Sequence, residues 1–344
     1  MLDRDESEDD VAEAQLKIAT EQSMNKFVKA ERERQSRFFA DYEPGIGGYC
    51  GSAYRLDPAS VDRNLAPSIR NTVPAYFEQK GIQWHVHSNH GLSSQVCCLN
   101  FLAPLAQKPE MLARLVQAAL GGEEPTMLPV EEGPDGQWFV GFEWIGGDYL
   151  NEAGKSGTRS RGANATSADA VLMFERAGKR ETLLIEWKYS ESYGSPINPN
   201  GNPARLKRYE ELAFYPVGPI RADLDLTLED FFWEPFYQLL RQQMLAFQME
   251  KAREDGADTV RVLHLSPAGN VALRSVTAPK LRQHGPNFAA AWRNLLNQPS
   301  RFVSMDIDKA FVSLLTQSGA MLDWADYIKA RYSSLLYIDT EASF

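Results

Sequence analysis

The chain has 344 residues, enough for one large domain or two small ones with a sizeable core. Its 43% apolar and 24% charged residues are ordinary for a globular protein, and no run approaches the roughly 18 apolar residues of a membrane helix. The net charge of −10 weighs against a nucleic-acid partner only if it is spread evenly, and it is not.

Residues 1–14 carry seven acids against Arg4, a net −6 that leaves −4 for the rest of the chain, so a local basic surface remains compatible with the total. No apolar stretch follows this leader. A secretory signal is therefore not expected, and the chain reads as cytoplasmic with no membrane partner. Cys50, Cys97 and Cys98 are too few for a disulfide framework and read as reduced thiols.

From Val11 to about Tyr42 the absence of Gly and Pro and the wealth of Ala, Glu, Lys and Gln predict a long helix. Its sparse apolar positions, among them Phe27, Val28, Phe38 and Phe39, suit a helix lying against a body or a partner. Gly45, Gly47 and Gly48 end it. Residues 61–80 read as broken helix, Ile82 to His87 as a short strand, and 93–106 and 109–120 as two helices, the second opened by Pro109 and closed by Gly121. Strands are expected over Gln137–Trp144, Asp169–Glu175 and Thr182–Tyr189, the last two joined by a turn at 177–180. A Pro/Gly/Asn loop over 190–203 and a basic helical patch come next. An amphipathic helix opens at Pro235 and runs to about Glu254, with Phe236, Leu240, Met244 and Phe247 on one stripe. Strands over Thr259–Leu265 and Arg301–Met305 complete the pattern. It predicts a three-layer α/β core of order αβββαβ with a central mixed sheet, extended by N-terminal and C-terminal helices. Residues 1–45 form leader and helix, and 46–344 a single domain whose core spans about 93–266.

Two nucleotide motifs fail on inspection. Gly154-Lys155-Ser156 lacks the earlier glycine of a phosphate loop, because Tyr149 stands there. Gly45-Ile46-Gly47 has Cys50 where a dinucleotide fingerprint needs its third glycine. His85, His87 and His90 cluster near Cys97 and Cys98, but without a Cys-x-x-Cys pair they read as structural or substrate-contacting groups rather than a zinc site.

Asp169 followed by Glu186-Trp187-Lys188 is the stronger signal. A hairpin turning at 177–180 sets Asp169 opposite Trp187 or Lys188 and beside Glu186. Side chains alternate along a strand, so Glu186 and Lys188 share one face with Asp169, Val171 and Met173. Two carboxylates and an ammonium at the end of an otherwise apolar hairpin are costly to bury unless something pairs them. A divalent cation would do so, since Asp and Glu supply the hard oxygens Mg²⁺ takes. The bland alternative is an edge hairpin with a solvated Glu186–Lys188 pair, which the apolar flanks disfavour.

Asp169, seventeen residues ahead of Glu186-Trp187-Lys188 on the second and third strands of such a core, resembles the PD-(D/E)xK restriction-endonuclease-like superfamily. The stretches Arg161–Ala170 and Leu184–Tyr189 look like a bacterial subgroup of it. The resemblance implies that Asp169 and Glu186 bind Mg²⁺, with Mn²⁺ able to substitute, that the carbonyl of Trp187 adds a ligand, and that Lys188 assists the attacking water. Ala168 stands where the motif has proline. The superfamily often adds an acid from an earlier element; Glu143 and Glu152 are candidates, and Glu143 is preferred because it falls on a strand. Some members carry Gln-x-x-x-Tyr on the later helix, whereas here Gln238 is followed by Gln242.

Lys155, Arg159 and Arg161 before the second strand, and Arg205, Lys207 and Arg208 after the third, are the candidates for phosphate contacts. The expected function is a Mg²⁺-dependent DNA endonuclease, plausibly in restriction or defence, and a homodimer would suit a duplex cutter. The alternative is a catalytically silent nuclease-like module that binds nucleic acid or a protein partner.

Overall fold

The computed structural model describes residues 26–153, 157–163, 165–214, 218–316 and 319–336. The acidic leader, residues 11–25 of the expected first helix, and the Gly154-Lys155-Ser156 segment lie outside the described residues. Helices α1 (26–42), α2 (Thr72–Lys80), α3 (Ser94–Leu102) and α4 (Pro109–Leu120) come first. Short strands β1 (Thr126–Leu128), β2 (Glu131–Gly133), β3 (Gly136–Trp138) and β4 (Gly141–Trp144) precede the long hairpin of β5 (Ala168–Arg176) and β6 (Lys179–Trp187). Then follow α5 (Asn202–Ala213), α6 (Phe236–Ala252), β7 (Thr259–Ser266), α7 (Phe288–Leu295), β8 (Phe302–Asp306), α8 (Ile307–Thr316) and α9 (Leu322–Tyr332).

The main sheet runs β1-β5-β6-β7-β8, with β4 sharing the outer edge of β5. Pairing is antiparallel from β1 and β4 through β6 and parallel at β6–β7 and β7–β8, a mixed sheet. Alternation along the central strands then divides the core. Ala170, Leu172, Phe174, Leu183, Ile185 and Trp187 face a layer built from α1 to α4, α8 and α9. Val171, Met173, Leu184, Val260 and Val262 face α5, α6 and α7. Strands buried on both faces carry apolar residues at nearly every position, as β5 and β6 do. The fold is the expected three-layer α/β/α arrangement. Helix α1 lies on the body, with Phe38 and Phe39 in the core.

Three expectations need correction. The strand expected over Ile82–His87 is irregular backbone, held where Gln83 N–H donates to the Arg161 carbonyl and His85 N–H to Gln95 Oε1. Among the described residues no neighbouring strand is there to pair with its alternating pattern. The expected strand Gln137–Trp144 is broken into β3 and β4 at Phe139-Val140. The hairpin turn is two residues, Ala177 and Gly178, both at positive φ (51° and 72°), so Arg176 pairs with Lys179. This primed geometry matches strand twist better than the wider expected turn. Continuing the register one step past Ala170–Ile185 sets Asp169 level with Glu186, rather than with Trp187 or Lys188.

Candidate active site

Asp169 is the one polar interruption in the first half of β5; Glu186 sits next to the end of β6, and Lys188 follows it just past that end. Glu186 is 1% exposed and Lys188 8%, so their charges are largely out of water. Lys188 Nζ contacts Glu186 Oε1 and donates to Gln238 Oε1 at 2.9 Å. Glu186 Oε2 accepts from Gln242 Nε2, whose amide also reaches the Ser167 carbonyl at 3.2 Å. Asp169 Oδ2 accepts from the Trp187 amide at 2.7 Å. Burial first, and then the charge of Glu186, push the Asp169 carboxyl well above the usual carboxylate range, against the pull of Lys188. Burial also works against the Lys188 ammonium, but Glu186 and the other anions around it outweigh that and hold the amine protonated.

Glu143 approaches from the other side of Asp169. It falls between the Phe142–Ala170 and Trp144–Ala168 pairs, with φ at +50°, and lines a small cleft together with Asp169, Gln95 and Cys98. Its Oε1 accepts from Gln95 Nε2 (2.7 Å) and lies 3.2 Å from His85 Nε2, and its Oε2 accepts from the Ser167 hydroxyl at 3.1 Å. The bond to Glu143 raises the His85 imidazole above its ordinary value, despite burial. Glu152, the other acid considered, is taken up elsewhere: it accepts from Thr166 N (2.5 Å), Thr166 Oγ1 (2.7 Å) and Tyr209 OH (2.7 Å).

The three histidines diverge. His85 turns to Glu143, His87 is exposed, and His90 lies tilted against the Tyr54 ring while its Nδ1 accepts from Leu92 N–H. Burial pulls His90 down to about 4. All three cysteines are free thiols, with Cys97 and Cys98 buried.

Arg159 and Arg161 stitch the segment before β5 to β4. Arg159 donates to the carbonyls of Ile145 (3.0 Å) and Gly146 (2.7 Å). Arg161 bonds both Glu131 oxygens, the Tyr76 hydroxyl and the Phe142 carbonyl. Few donors remain on Arg161 for a phosphate. Lys207 is exposed, Arg208 lies over the Tyr209 ring, and Arg205 donates to Tyr237 OH at 3.2 Å. Lys155 lies outside the described residues.

Helix α6 turns Gln238, Arg241 and Gln242 toward this cluster; sequence reasoning noted the two glutamines only as a departure from a family motif, and missed Arg241. Their spacing of three and four places them on one helix face. Two glutamines one helical turn apart, Gln238 and Gln242, were the available signal. Gln95 and His85 were also missed as the groups that hold Glu143.

The donor set fits a hard divalent cation held by few protein ligands. Glu186 Oε1 is buried and makes no hydrogen bond, touching only the Lys188 ammonium, and the Asp169 carboxylate is crowded by a second anion. Among the described residues no three His, Cys, Asp or Glu side chains are gathered as a ready-made metal cage. Mg²⁺ is commonly held by one or two carboxylates, with water and substrate phosphate completing its shell. No helix among the described residues is long and apolar enough to cross a membrane.

Residues 21–333 match the model of a family described as Restriction Endonuclease associating with ARP, and the chain belongs to that family. No curated protein and no solved structure matches it.

Proposed function

We propose that this chain is a Mg²⁺-dependent nuclease that hydrolyses phosphodiester bonds in DNA, with Asp169, Glu186 and Lys188 as its catalytic residues. The observation that carries this reading is the convergence of the three at adjoining strand ends, with Lys188 charged against Glu186 and Asp169 held in an unfavourable anionic environment. Restriction-endonuclease family membership over nearly the whole chain supports it.

Asp169, Glu186 and the Trp187 carbonyl would hold the ion, and Glu143 stands by Asp169 as a further acid. Bound there, a divalent cation supplies Lewis-acid polarisation of a phosphoryl oxygen and a water of lowered pKa. The chain's own contribution is orientation and charge. The Trp187 amide fixes Asp169, Gln242 fixes Glu186, and Gln238 fixes the Lys188 ammonium. Lys188 then presents a fixed positive charge to the negative charge that grows on the phosphoryl group during attack.

The test is incubation of supercoiled and linear DNA with the protein in Mg²⁺ or in EDTA. Cleavage is expected in Mg²⁺ alone. Asp169→Ala should abolish it. Lys188→Ala should slow the chemical step by about 10²–10³, typical for losing one electrostatic group, while calorimetric Mg²⁺ binding survives. Cleavage that persists in Asp169→Ala would sink the assignment.

A second reading, a catalytically silent module that docks a partner, has one observation in its favour: both Glu186 oxygens are already engaged by Lys188 and Gln242. A wild-type protein that neither binds Mg²⁺ nor cuts DNA would favour it.

A further inference from the structure

Arg241 sits on α6 between Gln238 and Gln242, and its surroundings differ from those of several other half-buried arginines. Arg161, Arg176, Arg261, Arg274 and Arg301 each pair with a carboxylate. Arg241 forms no ion pair among the described residues. Its Nη1 lies 3.4 Å from the Thr166 hydroxyl, its Nε is buried without a hydrogen-bond partner, and its guanidinium carbon stands 4.9 Å from the centre of the Tyr237 ring. Arg205, from α5, approaches the same ring at 5.3 Å. It is steadied by the Tyr237 hydroxyl, the Asn198 carbonyl and Asn202 Oδ1, and it too forms no ion pair among the described residues.

Two guanidinium groups therefore share one tyrosine, no more than about 10 Å apart because each lies about 5 Å from one ring centre. The carboxyl groups facing Arg241 do not consume it. Glu152 spends its oxygens on Thr166 and Tyr209. Glu234, whose carboxyl burial pushes upward, acts on Arg241 only through space. Planar guanidinium forks are matched to phosphate oxygens, and here they are held in place before any ligand arrives.

We propose that Arg205 and Arg241, gathered on the ring of Tyr237 beside the Asp169–Glu186–Lys188 cluster, form a clamp for a backbone phosphate of the nucleic acid next to the bond being cut. The clamp rests on the nuclease reading for the identity of its ligand, but it can be tested without cleavage.

The probe is a short fluorescein-labelled DNA duplex of mixed sequence, titrated by anisotropy in EDTA at several salt concentrations. Arg241→Ala and Arg205→Ala should each weaken binding uniformly across sequences and reduce the slope of log affinity against log salt by about 1, and the double variant by about 2. Lys179→Ala, at the far turn of the hairpin, should leave the slope as it is. Should circular dichroism show Arg241→Ala unfolded, Arg241→Lys carries the test: it keeps the charge and loses the fork, so affinity should fall with the slope retained. Unchanged slopes in both alanine variants, unchanged affinity in Arg241→Lys, or wild-type protein that binds no duplex would overturn the clamp. Arginine-dependent slopes in a protein that never cuts would overturn the nuclease reading and leave the clamp standing. Cleavage with slopes and kcat/KM unaltered in both variants would do the reverse.

Discussion

Arg331 and Lys188 are both buried cations, and the regions around them are built on opposite terms. Every nitrogen of the Arg331 guanidinium donates: Nε to Gln35 Oε1 at 3.0 Å, Nη1 to the Asn64 carbonyl (2.6 Å) and the Tyr327 hydroxyl (2.7 Å), and Nη2 to Asn64 Oδ1. Gln35 passes the network to the Tyr189 hydroxyl, which donates to Glu31 Oε2 at 2.7 Å. Around Lys188, by contrast, the buried Glu186 Oε1, Gln242 Oε1, Glu234 Oε2 and Arg241 Nε make no hydrogen bond among the described residues. A satisfied buried network holds α1, α9 and the end of β6 together. An under-satisfied one leaves polar atoms without hydrogen bonds around an ion pair at a sheet end, where a ligand can use them.

The comparison predicts different costs. Arg331→Met should be the most damaging to stability, about 3–5 kcal/mol by urea denaturation, because it strands Asn64, Gln35 and Tyr327 without a shared donor. The specific activity of whatever remains folded should not change. A loss under 1 kcal/mol would show the network to be dispensable.

Lys188→Met should cost less, about 1–3 kcal/mol, because Asp169, already pushed upward by burial and by Glu186, can relieve the crowding by holding its proton. Adding Glu186→Gln should recover most of that loss, since the charge left unpaired is then gone. Absence of recovery in the double variant would mean that the pair is held by packing and not by charge.

The third contrast is in pH. The folded-state pKa of Asp169 lies above its unfolded value, so the folded protein binds this proton more tightly. Its contribution to stability is therefore greatest below the unfolded carboxylate range and is lost as pH rises through the raised folded value, at about 1.4 kcal/mol for each unit of difference. In EDTA, Asp169→Asn should be more stable than wild type at neutral pH, and the gap should close as pH falls toward about 4. Thermal melts of both proteins across that range measure it, and a gap that widens on acidification would reverse the sign argued here.

How much of this was legible in the sequence follows from the range of the forces involved. The sheet was legible because β5 and β6 are apolar on both faces, which only a central position explains. That Asp169, Glu186 and Lys188 share one face followed from strand parity alone. The exact level of Asp169 did not, because a two-residue turn at Ala177-Gly178 and a longer one leave the same sequence pattern. The roles of Gln238, Arg241 and Gln242 were hidden by a different cause: they lie more than forty residues from Lys188, and only the packing of α6 on the sheet brings them to the site. Ile82–His87 misled because alternation without a neighbouring strand is only a pattern. Arg331 showed no sign of its role, since apart from Tyr327 on its own helix its partners Gln35 and Asn64 lie almost the length of the chain away.

Tyr189 is where the two regions meet, and its substitution is the smallest and most discriminating change. It follows Lys188 directly, but its hydroxyl points into the satisfied network: it donates to Glu31 and accepts from Gln35 Nε2 at 3.1 Å. Tyr189→Phe keeps the ring against Tyr332 and removes one hydroxyl, leaving Glu31 Oε2 short of a donor. The expected cost is about 1–2 kcal/mol of stability. If the Arg331 network only holds the fold, kcat for DNA cleavage by the folded fraction should be unchanged and only the denaturation midpoint should move. A fall in kcat with KM unchanged, in protein that remains folded at the assay temperature, would show instead that the network sets the position of Lys188. The boundary between the two regions would then lie on the far side of Gln35.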